Sequence, residues 1–177
     1  MASSNAAKLR TYWIIVAAVV LADMVTKALA EAMLYPRGVP REVVGEWLRL
    51  TLVYNRGAAF GLHLGQHSRW IFIALTVVAL WILWRLLQET RAGDRLRLVA
   101  ISLVSGGALG NFIDRVRHAQ GVVDFIDVGV GNLRWPTFNV ADMAVSTGAV
   151  LLAWVLWGED RRERASSVVA PETSRAP

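Results

Sequence analysis

Two aspartates, Asp124 and Asp142, sit where this chain could do acid–base chemistry. Asp124 lies in Val122-Val123-Asp124-Phe125-Ile126-Asp127-Val128, and Asp142 in Phe138-Asn139-Val140-Ala141-Asp142-Met143, where the last long apolar run begins. A carboxylate at a membrane boundary costs roughly a few kcal/mol unless partners or water offset it. Two of them brought together can share a proton and activate water, the division of labour used by aspartic proteases. Each also has a plainer reading. Asn139 followed three residues later by an acid is a helix N-cap with a carboxylate at N3. Asp124 alone can be a turn or ion-pair residue, although the Val and Phe around it suggest a half-buried strand. Capping and catalysis are compatible: a helix N-terminus favours ionised Asp142, leaving a nearby carboxyl to hold the shared proton. The resulting pKa values belong to the pair.

Other polar residues recur at spacings that bring them together. Asp23 and Lys27 are four apart, acid first, so they share a helix face and can pair, which lowers the cost of insertion. Asn111 and Arg115 have the same spacing, preceded by Gly106, Gly107 and Gly110, and small residues let helices approach closely. They can project to the membrane surface or serve packing, with Arg115 snorkelling. Asn55-Arg56-Gly57-Ala58-Ala59-Phe60-Gly61 is a tight Gly-punctuated loop that can line a cleft or simply turn the chain. Period two places Asp124 and Asp127 on opposite strand faces, so only one can join a given site. A serine nucleophile (Ser102, Ser105 or Ser146) would need a base, and no histidine falls within an apolar run. The chain has no cysteine, and His63, His67 and His118 form no HExxH, which argues against thiol and zinc chemistry.

The elements carrying these residues read as membrane helices. The chain has 177 residues, 55% of them hydrophobic, too apolar for an ordinary soluble domain. Four spans stand out: Thr11 to Ala30, Trp70 to Leu87, Leu98 to Ile113, and Val140 to Trp157, with Trp and Tyr at several ends. The net charge of +5 comes from arginines beside span ends, which favours membrane topology over nucleic-acid binding. Lys8 and Arg10, then Arg85, Arg91, Arg95 and Arg97, then Arg161, Arg162 and Arg164 fall on one side, so both termini are expected in the cytoplasm. The opposite loops also hold Arg37, Arg41, Arg49, Arg56 and Arg134. A rival reading makes Lys8 to Ala30 a cleavable signal peptide, which would discard Asp23 and Lys27. Outer connections run from about Glu31 to Arg69 and from Asp114 to Asn139, with strand character in Leu48 to Leu64 and Val122 to Val128. We expect one domain over 1–157 and a disordered cytoplasmic tail over 158–177.

Taken together, the segments Asp23 to Lys27, Asn55 to Gly61, Gly106 to Arg115, Val122 to Val128, and Asn139-Val140-Ala141-Asp142 resemble lipoprotein signal peptidase (signal peptidase II), a bacterial inner-membrane aspartic protease. Five motifs in order across four spans make the resemblance specific, and it covers Tyr12 to Trp157. It implies a four-helix α-helical integral membrane protein with a small extracytoplasmic β-cradle and a short surface helix. The catalytic dyad maps onto Asp124 and Asp142. Asn55, Asn111, Arg115 and Asn139 match polar active-site positions, Asp23 matches the first-span acid, and Asp114 and Asp127 look structural. Met143 departs from the small polar residue expected there. The implied substrate is a prolipoprotein whose cysteine already carries diacylglycerol, cut just before that cysteine, near the outer face. Membrane lipid is the other expected partner, with no nucleic acid, metal or organic cofactor, and the chain is expected to act as a monomer. Two other classes remain open at this level: a small proton-coupled transporter using intramembrane acids, and a membrane adaptor without chemistry.

Overall fold

The computed structural model describes residues 2–57, 65–91 and 93–169. Four long helices dominate: α1 (Ala2–Met33), α2 (Ser68–Glu89, entered through a 3-10 turn at Gly65–His67), α3 (Arg95–Arg117) and α4 (Val140–Val169). All four contain a stretch long and apolar enough to cross a bilayer. The expected spans are therefore the apolar centres of longer helices. The added turns of α1 include the strong helix formers Ala6, Ala7 and Ala32.

Helix α3 is the hub of the bundle and packs on α1, α2 and α4. Its glycines make this possible. A Cβ added at Gly106 would lie 2.8 Å from Val19 Cβ, and one at Gly110 would lie 2.6 Å from Asp23 Oδ2. From α4, Gly148 faces the Ala100 carbonyl in the same manner. Without a hydrophobic force between helices in lipid, such close backbone approach supplies the packing contacts. Tyr12, Val16, Leu83, Leu87, Leu98 and Ile101 fill the interior between α1, α2 and α3. Trp13, Leu21, Leu75, Trp81, Val150 and Trp154 instead project outward, a surface suited to acyl chains. Helix ends are tied by charge: Asp94 caps α3 by accepting from Arg97 N at 3.0 Å, and buried Lys8 donates to Leu87 O (3.0 Å) and Thr90 O (3.1 Å) at the end of α2.

The α1–α2 and α3–α4 connections form one antiparallel sheet, β1 (Arg41–Val44), β2 (Leu48–Asn55), β3 (Val122–Val130) and β4 (Leu133–Arg134), in that order. Strand β2 pairs with β3 so that Val53 faces Asp124 and Asn55 faces Val122. Between Leu50↔Ile126 and Val53↔Asp124 the register shifts, leaving Thr51 and Leu52 opposite Phe125 as a bulge. Leu52, Val123 and Phe125 pack on Ala30 and Leu34, seating the sheet on the end of α1. After β4 the chain returns along β3: Phe125 N and Ile126 N both donate to Phe138 O, at 3.0 and 2.8 Å. That return sets Asn139 beside Asp124. Among the described residues of these connections, the helical element is the 3-10 turn, and residues 58–64 before it lie outside the description.

The expected disordered tail needs correction as far as Val169, because α4 continues through Gly158. One exposed glycine costs only about 1 kcal/mol in a helix, and the following turns are braced. Glu159 takes both of its oxygens to Arg97 Nη1 at 3.1 Å, and Asp160 pairs with Arg164 one turn on. Residues 170–177 lie outside the description.

Candidate active site

Strand β3 delivers Asp124 to the mouth of the bundle, and the N-terminus of α4 delivers Asp142. Asn139 joins them. Its Nδ2 donates to Asp124 Oδ1 at 2.7 Å, and its Oδ1 accepts from Asp142 N at 2.9 Å. The Asp142 carboxylate answers by accepting from Asn139 N at 3.2 Å. The reciprocal pair is the capping box read from the spacing of Asn139 and Asp142. Capping therefore orients the Asp142 carboxylate while leaving it partly open to the adjacent cavity.

The two acids have different surroundings. Asp124 is only 2% exposed and accepts from Asn55 Nδ2 at 3.0 Å as well as from Asn139. Burial pushes its carboxyl upward, and the charge of Asp142 adds to that. The Asn55 and Asn139 hydrogen bonds and the Lys27 charge oppose the shift, leaving the Asp124 pKa at about 7. Asp142 is half-buried in the first turn of α4 and accepts from Asn111 Nδ2 at 2.8 Å. Asn55 Oδ1 accepts from Gly57 N at 3.0 Å, an Asx turn that leaves its NH2 for Asp124.

Behind the acids lies a buried ionic cluster. Lys27 Nζ stands 2.7 Å from Asp23 Oδ2, 2.9 Å from Asp114 Oδ2 and 3.0 Å from Asn111 Oδ1. Asp23 Oδ1 in turn accepts from Ala141 N (2.9 Å), next to Asp142, and Asp114 Oδ2 accepts from Val123 N (3.1 Å), next to Asp124. One ammonium thus links the backbone segments that carry the two acids. The expected Asp23–Lys27 pair is present, but the partnership of Asp114 with Lys27 had no signal in the sequence. The two residues are 87 positions apart on different helices.

Asp127 points to the other face of the sheet, as period two required. It accepts from Thr51 Oγ1 at 3.1 Å and pairs with Arg134 Nε at 2.6 Å. Arg115 extends from α3 to the Gly57 carbonyl (3.3 Å) and packs its guanidinium over Phe72. It so ties the described part of the Asn55–Gly61 motif to the bundle. Ala58 to Gly61 fall outside the described residues.

The acids open into a cavity of about 900 Å³ between the sheet and the start of α4. Asn55, Asn111, Arg115, Asp124 and Asp142 all line it, while Val53, Met143 and Val145 give it apolar wall. Trp135, Pro136 and Thr137 also line it and were not singled out from the sequence. Val145 and Ser146 follow Asp142 by three and four residues, so helical spacing alone could have found them. Ser146 reaches the cavity, but no histidine or lysine is among its described lining residues.

Comparison with known proteins decides the family. The sequence model of signal peptidase (SPase) II matches residues 15–158. The chain belongs to the signal peptidase II family. It is 43% identical over 150 residues to the lipoprotein signal peptidase of Paraburkholderia phytofirmans, covering 84% of this chain and 83% of that one. The lipoprotein signal peptidase of Cupriavidus taiwanensis is 48% identical over 118 residues, 65% of each chain, so this match spans just under two thirds of that relative. That of Francisella tularensis subsp. novicida is 36% identical over 145 residues, 80% of this chain and 88% of its own. Two solved structures described as bacterial membrane enzymes share the fold. One has a TM-score of 0.76 at 32% identity over 94% of both chains. The other has 0.72 at 36% identity, over 82% of this chain and 92% of its own. Family membership and four apolar helices make this a multi-pass membrane protein.

Proposed function

We propose that the chain is an aspartic endopeptidase that removes signal peptides from prolipoproteins, cutting just before a cysteine that carries diacylglycerol. The observation that carries this reading is the joining of Asp124 and Asp142, from a strand and a helix, through the single side chain of Asn139 at the wall of an accessible cavity. Asp142, in the first turn of α4 and open to the cavity, is the carboxylate that polarises a water. Asp124, whose burial retains its proton to about pH 7, donates to the scissile carbonyl. Attack of the water gives a tetrahedral intermediate. Return of a proton to the leaving amine breaks the C–N bond and frees the new N-terminal cysteine. Asn55 and Arg115 line the same cavity and orient the peptide or lipid head group. A proton-transport reading has less support, because Asp23 and Asp114 are both committed to Lys27.

Purified protein incubated with diacylglyceryl-modified prolipoprotein is expected to release the signal peptide, whereas the unmodified precursor should stay intact. No release from the modified precursor would overturn the reading.

We also assign both termini to the cytoplasm and the dyad to the outer face, on the grouping of Lys8, Arg10, Arg95, Arg97 and Arg161 at one end of the helices. The cysteine-free chain makes this directly measurable. In oriented membranes, Gly93→Cys and Ser174→Cys are expected to be shielded from an impermeant thiol reagent and Asn132→Cys to react. The opposite labelling pattern would reverse the topology.

A further inference from the structure

We propose that Lys27 is a positioning residue for the reaction: it sets the direction of the Asn111 amide and, through that amide, holds Asp142 as the base. The inference rests on the aspartic-protease reading and adds to it a residue that never reaches the cavity.

An ammonium has three donors and no acceptor. Lys27 is 3% exposed and its three neighbours are all oxygens, on Asp23, Asp114 and Asn111. Asn111 can therefore turn only its carbonyl oxygen toward Lys27. Asn139 Nδ2 divides its two hydrogens among Asp124 Oδ1 (2.7 Å), this oxygen (3.1 Å) and Val123 O (3.2 Å), so the Lys27 ammonium is the stronger hold on the Asn111 oxygen. With the oxygen so held, the Asn111 NH2 faces Asp142 Oδ1 at 2.8 Å. A flipped amide would set NH2 against two donors and oxygen against a carboxylate, so one orientation survives. The NH2 group then fixes the position of the Asp142 carboxylate by donating to it.

Residue usage agrees. The chain has two lysines, Lys8 and Lys27, both buried, and arginine at its other 17 basic positions. Lysine occurs where a compact ammonium must sit among several oxygens, a task that the planar guanidinium fork serves poorly. The charged groups around Asn111 and Asp142 are Asp23 and Lys27 from α1, Asp114 and Arg115 from α3, Asp124 from β3, and Arg56 after β2. From α2, Arg69 donates to the Arg115 and Val116 carbonyls and lies over the Trp70 ring. Among the described residues Lys27 is thus the cation that bonds the amide touching Asp142.

The test measures kcat, KM and the pH dependence of kcat with lipid-modified prolipoprotein, on protein whose folded fraction is known from thermal unfolding in detergent. Lys27→Met and Asn111→Ala are each expected to lower kcat by about 10- to 100-fold, the value of a hydrogen bond to a charged group. KM should change much less. The loss should fall on kcat and not on binding, because the carboxylate set out of place is the one that polarises the water. The double variant should be no worse than the more severe single, since both act through one amide. Asp23→Ala, which leaves Lys27 on Asn111, should lower folded yield without moving the profile. Lys8→Met removes the other buried lysine and should cost stability while keeping the wild-type profile.

A wild-type kcat in folded Lys27→Met, or additive losses in the double variant, would refute the proposal. If Lys27→Met does not fold, Asn111→Ala decides alone, because it leaves the Asp23–Lys27–Asp114 cluster intact: a wild-type kcat there also refutes it. Failure of the wild-type protein to cleave would instead reject the underlying protease reading.

Discussion

Asp124→Asn and Asp142→Asn are each expected to lower kcat by about 10³-fold or more while leaving protein level and fold intact. Positioned acid–base groups contribute about 10²–10⁴-fold each, and here each acid works only through the other. An amide at position 124 cannot give up a proton to the carbonyl, and one at 142 cannot take a proton from water. Combining the two changes should therefore add little to either alone, as for groups that act as a unit. The geometry also predicts the shape of the pH profile. Asp124 holds its proton up to about pH 7, so activity should decline as pH rises through that value and the donor is lost. The sign for stability is the same. A carboxyl raised in the folded state contributes stability that is complete below the ordinary carboxylate pKa and lost as pH rises through about 7. Single-turnover assays with lipid-modified prolipoprotein check the rates, and the same assay from pH 5 to 9 checks the limb. Substantial turnover by Asp124→Asn would remove Asp124 from the chemistry.

The second large effect is expected from a single methyl group. Gly107→Ala would drive a Cβ into the Ala141 carbonyl oxygen and to within 2.7 Å of Val145 Cγ2. The carbonyl belongs to the first turn of α4 and cannot rotate aside, so α3 and α4 must separate. Gly110→Ala places its methyl 2.6 Å from Asp23 Oδ2. That carboxylate is pinned by Lys27 and Ala141 N, which denies it the freedom that usually makes a side-chain clash cheap. Overpacking of this kind costs about 1–3 kcal/mol and occasionally more. Both variants should unfold at lower temperature in detergent, and Gly110→Ala should also lose kcat because it displaces the ionic cluster behind the acids. Gly93→Ala and Gly158→Ala, which meet nothing within 4 Å, are the matched controls and should keep wild-type kcat. Equal thermal stability of all four variants would contradict the close α3–α4 approach.

The amino-acid sequence by itself determined the parts that rest on local periodicity. Four apolar runs of membrane length became four helices, because a segment in lipid must satisfy its backbone internally. Alternation in Val122 to Val128 became β3 and separated Asp124 from Asp127. The i, i+4 spacing of Asp23 and Lys27 became a contact, as did the capping box of Asn139 and Asp142. None of these needs knowledge of another element. The end of α4 escaped because Gly158 and a run of charges read as a stop signal, whereas the pairing of Glu159 with Arg97 of another helix supports continuation.

What only the tertiary structure decided is which distant groups share a site and in what state. Asp114 meets Lys27, and Asp23 meets Ala141 N, only because glycines let α3 lie against α1 and α4. The lining by Trp135, Pro136 and Thr137 depends on the return of the chain along β3. Asp124 and Asp142 are the same residue type in similar apolar surroundings along the chain. The division into proton holder and base that we propose for them rests on burial on one side and an open cavity on the other. Sequence spacing carries direction along one helix or strand; it carries no distance between elements, and desolvation and shared hydrogen bonds are set by that distance.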